Sequence, residues 1–183
     1  MRIYLLAVGT KMPAWVSKGY DEYAHRMPTK CKLILKEIPA EKRNKNSSIE
    51  NIQDKEAKKL LVAIPNNCRV VALDGKGSIW TTDKLATRLE DWMMSGQDIA
   101  LLVGGPDGLT KEVLSIVNEH WSLSNLTFPH PLVRIIVAEQ LYPKSKEAII
   151  ISLLVTYEIT KLLLLNSNFF GDVVSDLYIH NIY

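Results

Sequence analysis

The feature that most limits what this chain can fold into is its alternation, through the first three quarters, of short β-rich apolar runs with segments of helical spacing. Residues 3–8 read as a strand stopped by Gly9. Residues 13–27 bring Trp15, Val16, Tyr20 and Tyr23 onto one helical face, with Pro13 in the first turn and Pro28 ending the segment. A second strand over 33–38 closes at Pro39, and a polar loop leads to a helix over 49–64 with Ser48 as its N-cap. A third strand over 69–73, a Gly-rich turn over 74–78 and a helix over 82–95 with Gly96 at its C-cap follow. Residues 99–103 form an apolar fourth strand, 110–120 a helix, 122–127 a weaker fifth strand and 131–142 a last helix. This order predicts an α/β fold, a mostly parallel sheet with helices on both faces. In such sheets ligands sit outside the carboxyl ends of the strands, which directs attention to the loops after Leu73, Val103 and Thr127.

Composition narrows the class. A chain of 183 residues with 47% hydrophobic and 23% charged residues buries a full core and is not a disordered chain. Its net charge of +2 forces no strong polyelectrolyte interaction. Cys31 and Cys68 form neither a C-x-x-C nor a disulfide framework, which points to a reducing compartment. The apolar run at the N-terminus is too short for a signal peptide, so a cytoplasmic protein is expected. After Tyr142 the character changes. Residues 143–183 contain no Arg and no Trp, and three lysines stand against four acids. The domain reading is therefore 1–142 followed by a divergent apolar tail, 143–183. The stretch 148–165 is almost long enough to span a bilayer, but Glu158 and Lys161 inside it favour a buried or partner-packed helix, and no membrane association is expected.

Two segments carry possible chemistry. In IALLVGGPDGLT, residues 99–110, a buried strand ends in glycines that let backbone approach a ligand. It is neither a phosphate loop nor a dinucleotide fingerprint, and a tight strand-to-helix turn is the plainer reading. In WSLSNLTFPHPLVR, residues 121–134, two prolines stiffen a loop able to wrap an adenine or simply to connect two elements. His130 between them reads as structural, with proton acceptance as the lesser reading; His25 and His120 read as surface or packing residues. No His/Cys/Asp/Glu spacing indicates a metal. Lys11, Lys18, Arg26, Lys42, Arg43 and Lys45 read as solvated surface or, against a nucleic acid, as phosphate contacts.

The blocks VGTKMP, IPAEKRNKN, DKEAKKLL, ALDGKG, LLVGGPDGL, WSLSNLTFPHPLVR and VAEQLY, in this order, resemble the H-type ribosomal large-subunit RNA methyltransferases, the smallest SPOUT-class enzymes. The resemblance covers residues 1 to about 142. It implies a SPOUT fold with a C-terminal trefoil knot, a homodimer, S-adenosyl-L-methionine as cofactor, and methylation of N3 of a pseudouridine in large-subunit (23S) rRNA within the ribosome. Carried over position by position, it implies a donor site of Leu73, Gly104, Leu123, Ser124, Asn125, Leu126, Thr127 and Phe128. With an RNA substrate, Lys42, Arg43 and Lys45 become candidate RNA contacts, and Arg134, beside the donor loop, a candidate for holding RNA or stabilising the pocket. Family members end in His-Pro-Tyr-His-Arg, whereas this chain continues LYPKSKEAII and ends in LYIHNIY; His180 and Tyr183 match no motif position. The catalytic residues are thus not identified. Donor binding with weak or absent transfer is expected, and a non-catalytic RNA- or ribosome-binding remnant is the alternative. Two further expectations attach to the loops. Gly104→Val is expected to weaken donor binding at least tenfold, about 1.4 kcal/mol, with the fold retained. Replacing Lys42, Arg43 and Lys45 by Ala is expected to weaken ribosome binding and leave donor binding unchanged.

Overall fold

The computed structural model describes residues 1–28, 30–43 and 48–142, and Met1–Tyr142 make up one compact unit. Lys45, the tail over 143–183 with its stretch 148–165, His180 and Tyr183 lie outside the described residues. The elements run β1 (Arg2–Val8), α1 (Ala14–Ala24), β2 (Lys32–Ile38), α2 (Ile49–Ala63), β3 (Cys68–Ile79), α3 (Thr82–Ser95), β4 (Asp98–Val103), α4 (Lys111–Ser115), β5 (Glu119–Ser122) and α5 (His130–Leu141). Among the described residues the strands form one sheet of order β2-β1-β4-β3-β5, parallel at every junction.

Side chains that alternate across a strand explain how the sheet is covered. Ile3, Leu5, Ala7, Val71, Ile99, Leu101 and Val103 face α1, α3 and α5, packing with Tyr20, Leu85, Trp92, Val137 and Leu141. Leu6, Val8, Val70, Ala100 and Leu102 face the other way, onto Ala57, Leu60 and Ala63 of α2 and Val113 of α4. The α/β reading with helices on both faces therefore holds. Central β1 and β4 are buried on both sides, which is why their sequences are nearly all apolar.

Several boundaries differ from the sequence-based expectation, and the helix expected over 13–27 ends already at Ala24. The Gly-rich segment after Leu73 is not a free turn: β3 continues to Ile79, and both Leu73 and Ser78 pair with Trp121, so 74–77 form a bulge. Gly77 permits it, since a Cβ there would stand 2.9 Å from the backbone of His120 and Trp121. The helix expected over 110–120 stops at Ser115. Asn118 then docks onto β3, donating its N–H to the Val70 carbonyl at 2.8 Å and accepting the Val70 N–H at its side-chain oxygen, also 2.8 Å. That bracket starts β5 at Glu119, three residues before the expected strand, and leaves 123–127 as loop. At the other helix ends, Pro13 is the N-cap of α1 rather than its first turn, and Ser48 occupies the N-cap of α2 without a side-chain cap bond. Gly96 caps α3 with φ +69°, as its position predicts.

Candidate functional site

Strand register brings the distant donor-loop candidates together. Leu73 is the partner of Val103 on one side and of Trp121 on the other. The bulge after Leu73, Gly104 one step beyond Val103, and the loop that starts two residues beyond Trp121 therefore leave the sheet along one edge, at its carboxyl end. Leu73, Gly104 and residues 123–128 are separated by up to 55 residues in sequence and are neighbours through the β4-β3-β5 order.

The turn after β4 is tight. Gly105, Pro106, Asp107 and Gly108 close with the Gly108 N–H donating to the Gly105 carbonyl at 2.8 Å, and Gly108 takes φ +82°, where a side chain is disfavoured. A Cβ on Gly104 would stand 2.6 Å from the Gly108 carbonyl carbon. Glycine is needed there by the turn itself, so Gly104→Val cannot keep the local fold as the sequence reading expected; its Cβ meets backbone, which has no rotamer to yield. Thr110 then caps α4, accepting the Val113 N–H at 3.3 Å.

The loop over 123–128 is shaped by its own hydroxyls. The buried Ser122 Oγ donates to the Ser124 carbonyl at 2.9 Å, and the Ser124 Oγ accepts the Leu126 N–H at 3.0 Å. Leu126 is 73% exposed, the side chain of a large apolar residue presented to solvent; Asn125 and Thr127 are exposed as well, and Leu123, Ser124 and Phe128 are half-buried. Beneath the loop Trp121 stacks on Trp80, with centroids 5.0 Å apart and planes 8° from parallel.

The polar residues divide by engagement. Arg134 on α5 is 2% exposed; its guanidinium pairs with Glu37 at the end of β2 at 2.5 Å and donates to the Gly9 carbonyl at 2.7 Å. It clamps α5 to the ends of β1 and β2. Arg43 pairs with the Asp107 carboxylate of the β4 turn at 2.6 Å. Lys42 is exposed. His130, at the start of α5, has a buried Nδ1 without a hydrogen-bond partner among the described residues; burial first, then the positive charge of Arg134 and Arg43, hold its pKa below the usual histidine value, which favours the neutral ring at pH 7. His25 and His120 are exposed.

Sequence reasoning missed the residues that hold the β4 turn: Asp107 itself, Gln53, whose side-chain amide donates to the Asp107 carbonyl at 2.6 Å, and Glu56, buried at 3% exposure. One signal was available. Glu56 falls within the apolar stripe Ile52, Ala57, Leu60 and Ala63 of α2, and a carboxylate on the core-facing side of a helix implies a polar partner.

Comparison with known proteins shows which family the chain is similar to. A family model described as "Predicted SPOUT methyltransferase" matches residues 1–147. The chain is 58% identical over 142 residues, 78% of its own length and 91% of the relative's, to a protein of Thioalkalivibrio sulfidiphilus named Ribosomal RNA large subunit methyltransferase H. It is 51% identical over 142 residues, 78% of its length and 92% of the relative's, to a protein of the same name from Methylococcus capsulatus.

Proposed function

The chain belongs to the SPOUT methyltransferase family, and from that membership we propose that it binds S-adenosyl-L-methionine at the β3-β4-β5 strand ends and acts on N3 of a pseudouridine in large-subunit ribosomal RNA. The substrate class follows from the names of its relatives, and the N3 position from the resemblance of its motif blocks. The observation that carries the donor site is the register: Leu73 is paired with both Val103 and Trp121, so the three loops converge.

The residues fit such a donor. A nucleoside needs apolar faces and backbone polar groups. Leu73, Leu123, Leu126 and Phe128 supply the first, and the two turns supply the second. The donor, when bound, supplies an activated methyl group on a sulfonium. The chain's part is to hold the adenosine between the loops and align the methyl carbon with the incoming nitrogen. Alignment of that kind is worth on the order of 7–11 kcal/mol at best. Ser122 and Ser124 fix the shape of one wall, and Gly104 with the Gly105–Gly108 turn that of the other.

The acceptor must lose its N3 proton and have its base held out of the stack, a task the resembling family gives to its C-terminal segment. The alignment with the relatives spans 142 residues, 78% of this chain, and residues 143–183 carry no His-Pro-Tyr-His-Arg ending. That observation favours a second reading, a donor- and ribosome-binding chain with little transfer. We take the trefoil knot, the homodimer, the cytoplasmic location and the boundary at Tyr142 as parts of the same proposal. Among the described residues no helix is long and apolar enough to cross a membrane.

The test compares the native chain with one in which 143–183 are replaced by a family-type ending, Arg-Ala-Trp through His-Pro-Tyr-His-Arg, measuring tritium passed from labelled donor to ribosomes. A positioned acid–base group contributes typically about 10²–10⁴-fold, and a gain of that order is expected on replacement. Full transfer by the native chain would overturn the second reading, and no transfer by either chain would overturn the first.

A further inference from the structure

The turn after β4 is gripped from a distance. Arg43 Nη2 lies 2.6 Å from Asp107 Oδ2, and the Gln53 side-chain amide donates to the Asp107 main-chain carbonyl at 2.6 Å. The buried Glu56 carboxylate lies against Gly105, its Oε2 2.5 Å from where a Cβ would stand. Glu56 is itself fixed, because its Oε1 accepts the Glu41 N–H at 3.0 Å. The Glu41 carboxylate pairs with Lys59 at 2.5 Å, and Lys59 also donates to the Pro39 carbonyl at 3.1 Å. Asp107 is thus held through two different groups, its carboxylate by Arg43 from the loop before α2 and its carbonyl by Gln53 from α2 itself.

Gln53 and Glu56 sit on a helix that the core already fixes, whereas Arg43 reaches Asp107 from a loop. Its guanidinium side chain remains 41% exposed while the Asp107 Oδ2 that it faces is buried, so the pair is open to salt and to competing anions from the arginine side. A basic side chain in a polar loop reads most simply as a phosphate contact, yet this one is already committed to the turn that carries Gly104.

We propose that Arg43 is a positioning residue for the methyl-donor turn, acting through the Asp107 carboxylate, rather than solely an RNA contact. The inference rests on the donor-site reading above. It predicts that donor affinity in the absence of RNA depends on Arg43, that the dependence disappears once Asp107 is neutral, and that a lysine, which keeps the charge but not the planar fork, restores part of it.

The experiment is calorimetric titration of the full chain with S-adenosyl-L-methionine without RNA, for the native chain and for Arg43→Ala, Arg43→Lys, Asp107→Asn and Arg43→Ala with Asp107→Asn, each with its thermal midpoint. The expected result is a threefold to tenfold weaker donor affinity in Arg43→Ala and in Asp107→Asn, about 0.7–1.4 kcal/mol. The double variant should be no weaker than either single change, Arg43→Lys should fall between, and the midpoints should stay unchanged. Native-like donor affinity in Arg43→Ala, whether or not ribosome binding falls, would overturn the inference while leaving the donor site standing. Additive losses in the double variant would overturn it too, since the residues would then act separately. Absence of donor binding by the native chain at millimolar concentration would overturn the donor-site reading, and this inference with it.

Discussion

The turn leaving β4 and the loop leaving β5 flank the end of β3, and they are held by opposite means. The first is short, glycine-built and gripped from outside by Arg43, Gln53 and Glu56. The second is longer and sets its own shape through Ser122 and Ser124, with Leu126 turned to solvent. A turn held by its surroundings is sensitive to any change in that packing. The second loop answers mainly to changes within itself, with a weaker tie to the β3 bulge through Ser122 Oγ, 3.4 Å from the Gly75 carbonyl, and to the core through Leu123. One wall of the proposed donor site is therefore coupled to fold stability through the buried Glu56, with Arg43 adding only local order at its exposed end, and the other wall to local order alone.

The largest effect that separates the two is expected from Gly105→Ala. The new Cβ would lie 2.5 Å from Glu56 Oε2, and Glu56 is buried and tied to the Glu41 N–H, so overpacking of about 1–3 kcal/mol is predicted. The thermal midpoint should fall by several degrees and donor affinity at least tenfold; an unchanged midpoint would break the contrast. A smaller effect is expected from Ser124→Ala, which removes the acceptor of the Leu126 N–H. One net hydrogen bond is worth about 1 kcal/mol. Here the account predicts a donor affinity loss of about fivefold with the thermal midpoint unmoved, and a midpoint drop matching that of Gly105→Ala would show the two loops to be held alike.

The smallest effect is a pH dependence that belongs to neither loop alone. His130 follows the second loop, and its surroundings reach both. Burial and the charges of Arg134 and Arg43 lower its pKa, while Asp107 in the first turn raises it. A lowered native pKa means that the folded chain binds fewer protons than the unfolded one below about pH 6.5, so stability rises with pH through that window and is lost as pH falls. Urea unfolding of the native chain between about pH 5.5 and 7.5 should show this slope, and His130→Asn should flatten it. An equal slope in both would remove His130 from the account.

Much of this was legible in the sequence, for identifiable reasons. Strands β1 and β4 are buried on both faces, so their sequences carry unbroken apolar runs, and the three strand-end loops followed from the parallel alternation. Strand β5 was displaced because, of Glu119, His120, Trp121 and Ser122, only Trp121 carries β-propensity of its own. Its start is fixed by Asn118 binding Val70, 48 residues away, a contact that local pattern cannot express. The same holds for the grip on the β4 turn, where Gln53 and Asp107 are 54 residues apart. Arg43 and Arg134 illustrate the limit from the other side. The sequence offers Arg43 as solvated surface or, with an RNA substrate, a phosphate contact, and Arg134 as a residue that holds RNA or stabilises the pocket; only the fold reveals Asp107 beside one and Glu37 beside the other.

Amide hydrogen exchange of the full chain, with and without S-adenosyl-L-methionine, tests the central claim most directly. The account predicts that the donor slows exchange in three segments distant in sequence, 73–78, 104–109 and 123–128, and leaves the α3 helix and the β2 edge as they were. Slowing confined to other segments, with these three unchanged at saturating donor, would contradict it.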